Sequence, residues 1–249
     1  MLKKSLNTVK FYKKLVINVE VYEGKAKKVI PLDDGKVIME FKDDATAFDG
    51  SKKAQFRGKG WLNAQISATL FKVLEENGIK THFIGVAGDN RLIVERLEMY
   101  PLEVVVRNVV AGSLKKRLPL EEGTELKEPI VELYYKDDSL HDPMINHYHA
   151  KILGINEGEI REMERIALKV NEILREYFAK RGIILVDFKL EFGKNGRGEI
   201  ILGDEISPDT CRFWDARTKK SLDKDVFRFD KGDLIRAYEE LYERLTGDS

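Results

Sequence analysis

LVDFKLEFG, residues 185–193, has the alternation of a β-strand that is apolar on one face and charged on the other. Because successive side chains of a strand point to opposite faces, Asp187, Lys189 and Glu191 are predicted to share one face. The other face carries the apolar side chains of Phe188, Leu190 and Phe192. The pattern predicts that the apolar face packs in the core. For the charged face, the pattern is equally compatible with a solvated surface and with a functional site.

A hairpin is predicted directly after this strand. The segment KNGRG (194–198) has turn residues, and EIILGDE (199–205) provides the returning strand. Asp204 should therefore lie within a few residues of Glu191 on the neighbouring strand. Two carboxylates on adjacent strands suit Mg²⁺ when phosphate oxygens supply further ligands. The hairpin thus predicts a candidate metal pair.

A weaker signal for phosphate binding lies in YEGKAKKVI (22–30), where Lys25 and Lys27 share one face of a predicted strand. The preceding glycine lets backbone approach an anion closely, and the lysines add positive charge. The segment lacks the helix that follows the lysine of a P-loop. Since lysines on strands are usually solvated, this segment alone favours an ordinary exposed strand.

A stronger anion site is predicted around Arg107, which interrupts the apolar strand LEVVVRNVV. That strand ends in Ala111-Gly112-Ser113, where backbone N–H groups and the serine hydroxyl could hold an anion beside the guanidinium. Arg212, in the polar loop SPDTCRFWD, supplies a second guanidinium. Two arginines and a serine suit a phosphate monoester.

The composition limits the class of protein. The 249-residue chain has 43 Lys plus Arg against 43 Asp plus Glu, and its formal net charge is zero. This balance gives no electrostatic support for nucleic acid or an anionic membrane as a partner. No apolar run approaches about 18 residues, so no membrane span is expected. The single cysteine, Cys211, cannot form an internal disulfide, which favours a reducing cytoplasm.

The order of the predicted elements indicates two lobes. In the first part of the chain, strands are predicted at 15–22, 26–30, 36–41 and 82–86, with a single helix whose apolar periodicity runs from Leu62 to Leu74. In the rest, strands are mixed with longer helices: one is predicted to start at Asn156, with Glu159 completing a variant of the capping box, and the last near Asp230. Tyr100-Pro101 is predicted to be a connector, because proline disfavours helix in the residue before it. We therefore predict an α+β protein with a β-rich lobe over residues 1–98, an α+β lobe over residues 99–249 and a cleft between them.

Taken together, these segments resemble one family, phosphoribosylaminoimidazole-succinocarboxamide synthase, also called SAICAR synthetase. The resemblance rests on EGKAKKV, PLEVVVRNVVAGS, LVDFKLEFG and LGDEISPDTCRFWD, which follow one another in family order from residue 22 to about residue 230. PLEVVVRNVVAGS and LVDFKLEFG are the most specific of these segments. Two features depart from the family pattern: about twenty residues precede the first segment, and Phe48 stands where a smaller residue is usual.

The resemblance implies an ATP-dependent ligase of purine biosynthesis. Its substrates would be ATP, L-aspartate and carboxyaminoimidazole ribonucleotide (CAIR), and its products SAICAR, ADP and phosphate. The implied fold has an antiparallel, kinase-like N-terminal lobe over an α+β lobe, with ATP in the cleft. The family also implies Mg²⁺, a cytoplasmic location and a homodimer. A role for the first twenty residues does not follow from the resemblance.

The resemblance also implies roles for individual residues. Those at the nucleotide would be Lys25, Lys27, Met99 and Lys136. Those at Mg²⁺ would be Glu191 and Asp204. Those at the 5′-phosphate of CAIR would be Arg107, Ser113 and Arg212, with Lys189 and Asp209 as further, catalytic CAIR contacts. Asp49 would be a further substrate-binding residue.

Two other functions stay open at the level of sequence. A kinase-type phosphotransferase would share the lysines and the acidic pair, but the sequence has no HRD-type loop, and such an enzyme leaves Arg107 and Ser113 without a role. A non-catalytic nucleotide-binding module could keep the lysines and lose the metal carboxylates. The presence of Glu191 and Asp204 argues against that alternative.

Overall fold

The computed structural model describes residues 21–48 and 50–247, and its first half is built on an antiparallel sheet. The strands of this half are β1 (Tyr22–Glu23), β2 (Lys27–Pro31), β3 (Lys36–Phe41), β4 (Asp44–Ala47), β5 (Lys52–Gln55), β6 (Phe83–Val86) and β7 (Arg91–Glu95). Five of them form the first sheet in the order β1-β2-β3-β7-β6, and β4 and β5 form a separate hairpin. The strands predicted at 26–30, 36–41 and 82–86 are confirmed, and most of the one predicted at 15–22 lies outside the described residues.

Helix α1 (Lys59–Glu76) joins this sheet to the rest of the molecule. One of its faces packs on the first sheet through Ala64 and Ala68, and another enters the main core through Leu62, Ile66, Leu70 and Leu74. Gly60 is required where the helix begins, because a Cβ there would lie 2.5 Å from the carbonyl oxygen of Phe41. The helix predicted from the apolar periodicity is therefore confirmed, and it is shared by two cores.

The second sheet is centred on the strand that contains LVDFKLEFG. Its strands are β8 (Glu98–Val109), β9 (Glu125–Tyr135), β10 (Met144–Ile145), β11 (Ile183–Lys194), β12 (Ile200–Gly203) and β13 (Cys211–Asp215). The order is β10-β9-β8-β11-β12, and β13 also pairs with β11. β12 and β13 share one edge of β11: β13 pairs with its first half and β12 with its last residues. β11 is thus enclosed by β8 on one side and by two short strands on the other.

The connector predicted at Tyr100-Pro101 is wrong, because strand β8 runs through both residues. The physical reason is a bulge. Met99 lies opposite Gly193 and Glu103 lies opposite Glu191, so that three residues of β8 face one residue of β11. Pro101 falls within this irregularity, where the N–H group that proline lacks is not needed for regular pairing. The chain passes from the first sheet to the second between β7 and β8, and a domain boundary at residue 98 remains a prediction.

Several helices occupy the second half of the chain, and the longest of them packs on the second sheet. They are α2 (Gly112–Arg117), α3 (His147–Ile152), α4 (Glu157–Ala179), α5 (Asp225–Arg228) and α6 (Leu234–Thr246), with a 3₁₀ turn at Asp138–Leu140. The capping box predicted at the start of α4 is confirmed, since Asn156 and Glu159 each accept a hydrogen bond from the other's backbone N–H. Helix α6 begins at Leu234, capped by Asp233, somewhat later than the predicted start near Asp230. Within the described residues, no helix has both the length and the apolarity to cross a membrane.

Candidate active site

The charged face of β11 lines the space between the two sheets. The side chains of Asp187 and Glu191 are 5 % and 3 % exposed, and that of Lys189 is 27 % exposed. A solvated surface would leave such groups in water, so that alternative does not describe this face. Phe188, Leu190 and Phe192 are buried on the opposite face, as the alternation predicts.

Lys189 is held between two carboxylates on the central strands. Its Nζ donates to Oε1 of Glu103 on β8 at 2.6 Å and to Oε1 of Glu191 at 3.0 Å. Burial would lower the pKa of Lys189, but Glu191 and Glu103 outweigh it and hold that pKa well above its ordinary value. Lys136 donates to the other oxygen of Glu191. The lysine therefore stays cationic, and Glu191 is fixed from two sides.

Asp204 lies beside Glu191 because of the hairpin register. Gly203 is directly opposite Glu191, and Asp204 follows with a φ of 55°, a left-handed conformation that turns the chain out of β12. Lys27 contacts Asp204 and lies 2.8 Å from Oε1 of Glu205. Burial would raise the pKa of Asp204, but Lys27 and Lys189 reverse this effect and hold it well below its usual range. Asp204 therefore lies close to Glu191, as predicted, but directly after β12 rather than within it.

A cavity of about 610 Å³ separates the first sheet from this acidic pair. Its lining includes apolar side chains, among them Val29, Met39, Val94 and Met99. The predicted nucleotide residues Lys25, Lys27 and Lys136 also line this cavity, and Lys25 lies 2.7 Å from Asp138. Met99 packs onto the second sheet at two glycines, since a Cβ at Gly193 would lie 3.0 Å from its Sδ and one at Gly203 would lie 3.3 Å from it. A cavity lined by both apolar side chains and lysines suits a nucleotide, which has an apolar base and anionic phosphates.

A second cavity, of about 230 Å³, opens on the other side of Lys189. Its lining includes the predicted phosphate residues Arg107 and Arg212. Lys189, Asp209 and Thr210 line both cavities. The two cavities therefore share one wall, formed by these three residues. Groups bound in the two cavities would lie next to each other at this wall.

Arg107 is the centre of a buried hydrogen-bond network. Its guanidinium donates to Oε2 of Glu132 at 2.7 Å, to Oδ2 of Asp187 at 2.8 Å and to Oγ of Ser113 at 2.8 Å. Burial would lower the pKa of Arg107, yet Asp187 and Glu132 raise it above its ordinary value. The structure thus places Ser113 against Arg107 as predicted.

The segment Ala111-Gly112-Ser113 differs from the predicted turn, because Gly112 begins helix α2. Gly112 has a φ of 53°, and a Cβ there would lie 2.7 Å from the guanidinium carbon of Arg212. Only glycine therefore lets Arg212 lie against this backbone. Arg212 also donates to Asp225 at 2.8 Å and to Asp187 at 3.0 Å, so Asp187 joins both arginines.

Asp209 is fixed by residues that the sequence did not indicate. Its Oδ2 accepts from Nζ of Lys59 at 2.6 Å, and its Oδ1 accepts from the hydroxyl of Tyr238 at 2.7 Å. Lys59 has no exposed surface, although it looks in sequence like any lysine at a helix start. Burial would raise the pKa of Asp209, but Lys224 and Lys59 hold it well below its usual range. No local pattern could reveal this contact, since Lys59 and Asp209 are 150 residues apart.

The oxygen ligands fit Mg²⁺ only if a ligand supplies more of them. Glu191 and Asp204 are hard carboxylates, on β11 and directly after β12, and carboxylates are the donor type that Mg²⁺ prefers. In residues 21–48 and 50–247, no three candidate metal ligands cluster closely enough to hold an ion alone. Phosphate oxygens in the larger cavity would have to complete the set. Asp49, predicted to bind substrate, lies outside the described residues.

Comparison with known proteins points to one family. The SAICAR synthetase family profile matches residues 20–245. A curated relative from Thermococcus sibiricus, phosphoribosylaminoimidazole-succinocarboxamide synthase, is 84 % identical over 232 residues, which span 93 % of this chain and all of the relative.

Solved structures give the same answer. A SAICAR synthetase (Type-2) in complex with ADP is 79 % identical and superposes with a TM-score of 0.91, over 92 % of this chain and 99 % of the other. A SAICAR synthase from Saccharomyces cerevisiae, complexed with SAICAR, is 26 % identical with a TM-score of 0.79, over 95 % and 97 % of the two chains. The predicted two-lobed α+β fold is thereby confirmed.

Proposed function

The chain belongs to the SAICAR synthetase family, and from that premise we propose that it joins L-aspartate to the carboxylate of CAIR, with ATP converted to ADP and phosphate. The observation that carries the proposal is the wall of Lys189, Asp209 and Thr210 shared by the two cavities. A ligase of this kind must bring the γ-phosphate of one substrate to the carboxylate of another, and a shared wall is where such groups meet.

ATP is proposed to occupy the larger cavity. The base would lie against the apolar side chains that include Met99, and the phosphates would extend towards Lys25, Lys27 and Lys136. Support comes from the ADP complex of the relative that superposes with a TM-score of 0.91. Because these lysines are already fixed by carboxylates, little reorganisation is needed when phosphate arrives.

CAIR is proposed to occupy the smaller cavity. Its 5′-phosphate would bind Arg107, Ser113 and Arg212, which the network around Asp187 holds in place. Its carboxylate would then point along the shared wall towards Lys189. The buried guanidinium groups are preorganised for a dianion, since their carboxylate partners keep them charged and oriented.

The chemistry follows from the weakness of carboxylate as an electrophile. A carboxylate oxygen of CAIR attacks the γ-phosphorus of ATP, the bond to the ADP oxygen breaks and ADP leaves. The aspartate amine then attacks the acyl carbon of the resulting acyl phosphate, phosphate leaves and the nitrogen loses a proton. Lys189 neutralises charge on the transferring group, and Asp209 orients CAIR from the shared wall. Phosphoryl transfer needs mainly such positioning and charge neutralisation.

Glu191 and Asp204 are the residues proposed to hold Mg²⁺. When bound there, the ion would neutralise phosphate charge beside the acidic pair. We further propose that the chain acts in the cytoplasm, forms a homodimer and is organised as lobes over residues 1–98 and 99–249. Asp49 is retained as a proposed substrate contact.

The deciding experiment measures SAICAR formation from ATP, CAIR and L-aspartate with Mg²⁺. The expected result is that SAICAR appears only when all three substrates are present, with one ADP formed per SAICAR. A kinase-type phosphotransferase would instead release ADP from ATP and CAIR at a rate indifferent to aspartate. That outcome, without SAICAR, would refute the proposal.

A labelled oxygen tests the acyl-phosphate step separately. With ¹⁸O in the CAIR carboxylate, one labelled oxygen should appear in the released phosphate. Unlabelled phosphate alongside normal SAICAR formation would refute this route while leaving the overall reaction intact.

A further inference from the structure

Lys224 is a nearly buried cation that makes no side-chain hydrogen bond within the described part of the chain. Its residue surface is 9 % exposed, and among residues 21–48 and 50–247 the one carboxylate within 4.0 Å of its Nζ is that of Asp209, at 3.7 Å. Both oxygens of Asp209 already accept shorter hydrogen bonds, from Lys59 and Tyr238. The positive charge of Lys224 is therefore poorly compensated by the protein, which is costly at such burial.

Lys224 and Arg228 line the two cavities where the reaction is proposed to occur. Lys224 lines the larger cavity, and Arg228 lines the smaller one. The N–H of Arg228 donates to the carbonyl of Lys224 at 3.0 Å, so the two residues lie one helical turn apart at α5. Side chains one turn apart lie on the same helix face, with Cβ atoms roughly 5–6 Å from each other. The pair therefore brackets the wall shared by the two cavities.

Three other cations of the cleft are each paired with two carboxylates. Lys27 contacts two carboxylates, Lys189 donates to two, and Arg212 donates to Asp187 and Asp225. Arg228 donates to a single carboxylate, that of Asp225, at 2.6 Å through Nη1. Lys224 and Arg228 are thus the cations at the shared wall with the most capacity for a further anion.

We propose that Lys224 and Arg228 form the binding site for the two carboxylates of L-aspartate, Lys224 taking one and Arg228 the other. This inference rests on the proposed function and names the site of its third substrate. The amine of an aspartate bound by both groups would lie near the shared wall of Lys189, Asp209 and Thr210, where the acyl phosphate is proposed to form. A bound dicarboxylate would also place a negative charge beside the ammonium of Lys224, which the protein compensates poorly.

The electrostatics of Lys224 agree with a ligand of this charge. Burial lowers the pKa of Lys224, Asp209 offsets part of that effect, and repulsion from Lys59 and Arg228 adds to the lowering. A carboxylate bound at the ammonium would reverse the shift. Binding of the amino acid would therefore be favoured by the same charge that is costly without it.

The test is steady-state kinetics of Lys224→Met and Arg228→Met, with each substrate varied in turn. The Michaelis constant for L-aspartate should rise about tenfold or more in each variant, the loss expected for a charged hydrogen bond. The constants for ATP and CAIR should change by less than about twofold. Lys231→Met is the matched control, because Lys231 is an exposed lysine three residues beyond Arg228 that lines neither cavity.

A binding measurement removes the dependence on turnover. Succinate, which has both carboxylates and no amine, should bind the wild-type protein in the presence of ADP and CAIR, and bind Lys224→Met about tenfold more weakly. Thermal melting of both variants shows whether they remain folded; Lys224→Met should melt at or above the wild-type temperature, because its ammonium makes no hydrogen bond.

The outcomes separate the two proposals. If the wild-type protein forms no SAICAR, the proposed function fails before Lys224 is tested. If SAICAR forms normally and the aspartate constant of Lys224→Met stays within about twofold of wild type, the aspartate site alone is refuted. A selective rise in the constant for ATP or CAIR would also refute it, since Lys224 would then bind a phosphate or the CAIR carboxylate.

Discussion

The Nζ of Lys59 lies 2.6 Å from Oδ2 of Asp209, and this contact ties the first turn of helix α1 to the loop between β12 and β13. The side chains are 0 % and 4 % exposed. Removing one partner of a buried pair leaves the other charge uncompensated. We expect Lys59→Met to lower the free energy of unfolding by about 3 kcal/mol, measured by chemical denaturation.

The double variant Lys59→Met/Asp209→Asn is the control for this prediction. It removes both charges, so it should recover part of the lost stability, which a double-mutant cycle would report as coupling between the two sites. A Lys59→Met protein as stable as wild type would contradict the importance of the pair.

Glu191→Gln should nearly abolish turnover. Outer-shell partners of metal ligands already contribute about 10–100-fold, so loss of a proposed ligand should reduce kcat by at least about 100-fold at saturating Mg²⁺. Glu191 also accepts from Lys136 and Lys189, so stability should fall by about 1–3 kcal/mol. Glu199→Gln, on the outer part of the same hairpin, should retain full activity. An active Glu191→Gln enzyme would remove this residue from the metal site.

Ser113→Ala should weaken CAIR binding selectively. The hydroxyl contacts Arg107 at 2.8 Å and would also donate to the anionic 5′-phosphate, a charge-assisted hydrogen bond worth about 1.5–3 kcal/mol. We therefore expect the Michaelis constant for CAIR to rise by about 10–100-fold with kcat nearly unchanged. With the nucleoside that lacks the 5′-phosphate as substrate, the wild-type protein and the variant should have the same Michaelis constant. A penalty that persists with the nucleoside would place the effect elsewhere.

His147 should make stability depend on pH near neutrality. Its ring nitrogens lie 2.7 Å from Glu164 and 3.3 Å from Glu157, and the hydrogen bond to Glu164 is the largest cause that raises its pKa above 6.5. A raised pKa in the folded state stabilises the protein fully below the unfolded value and is lost as pH rises through the folded value. Because the ring is 36 % exposed, the effect should stay below about 1 kcal/mol.

The comparison variant for this effect is His147→Gln. The difference in free energy of unfolding between wild type and variant should be largest at about pH 5.5 and shrink by about pH 8.5. A difference that grows with pH would mean that the neutral ring is the form that the fold prefers.

Local sequence predicted side-chain direction better than burial. The alternation of LVDFKLEFG placed Asp187, Lys189 and Glu191 on one face correctly, because direction depends on the strand alone. Whether that face is wet depends on the first sheet and on the loop after β12, which come from distant parts of the chain. Periodicity could not supply those contacts, and the family resemblance did so indirectly.

The unpredicted groups are mostly charged residues that the fold buries. Lys59 and Lys224 have the local sequence of exposed lysines, and their surroundings are set by contacts with Asp209. Pro101 led to the wrong prediction of a connector, because a bulge accommodates the proline within strand β8. In each case tertiary structure overrides a local rule.

The divided edge of β11 has a consequence for tolerance to insertions. β12 pairs with Glu191–Lys194 and β13 with Ile183–Phe188, and Lys189 between them donates its N–H to the carbonyl of Thr210 at 2.9 Å. The segment 204–210 is therefore clamped at both ends against one strand, and its length is set by the gap that it fills. One added residue there would displace Asp204 or Asp209. The turn at 195–199 lies outside the clamp, so an inserted peptide tag should be accommodated there at little cost to activity.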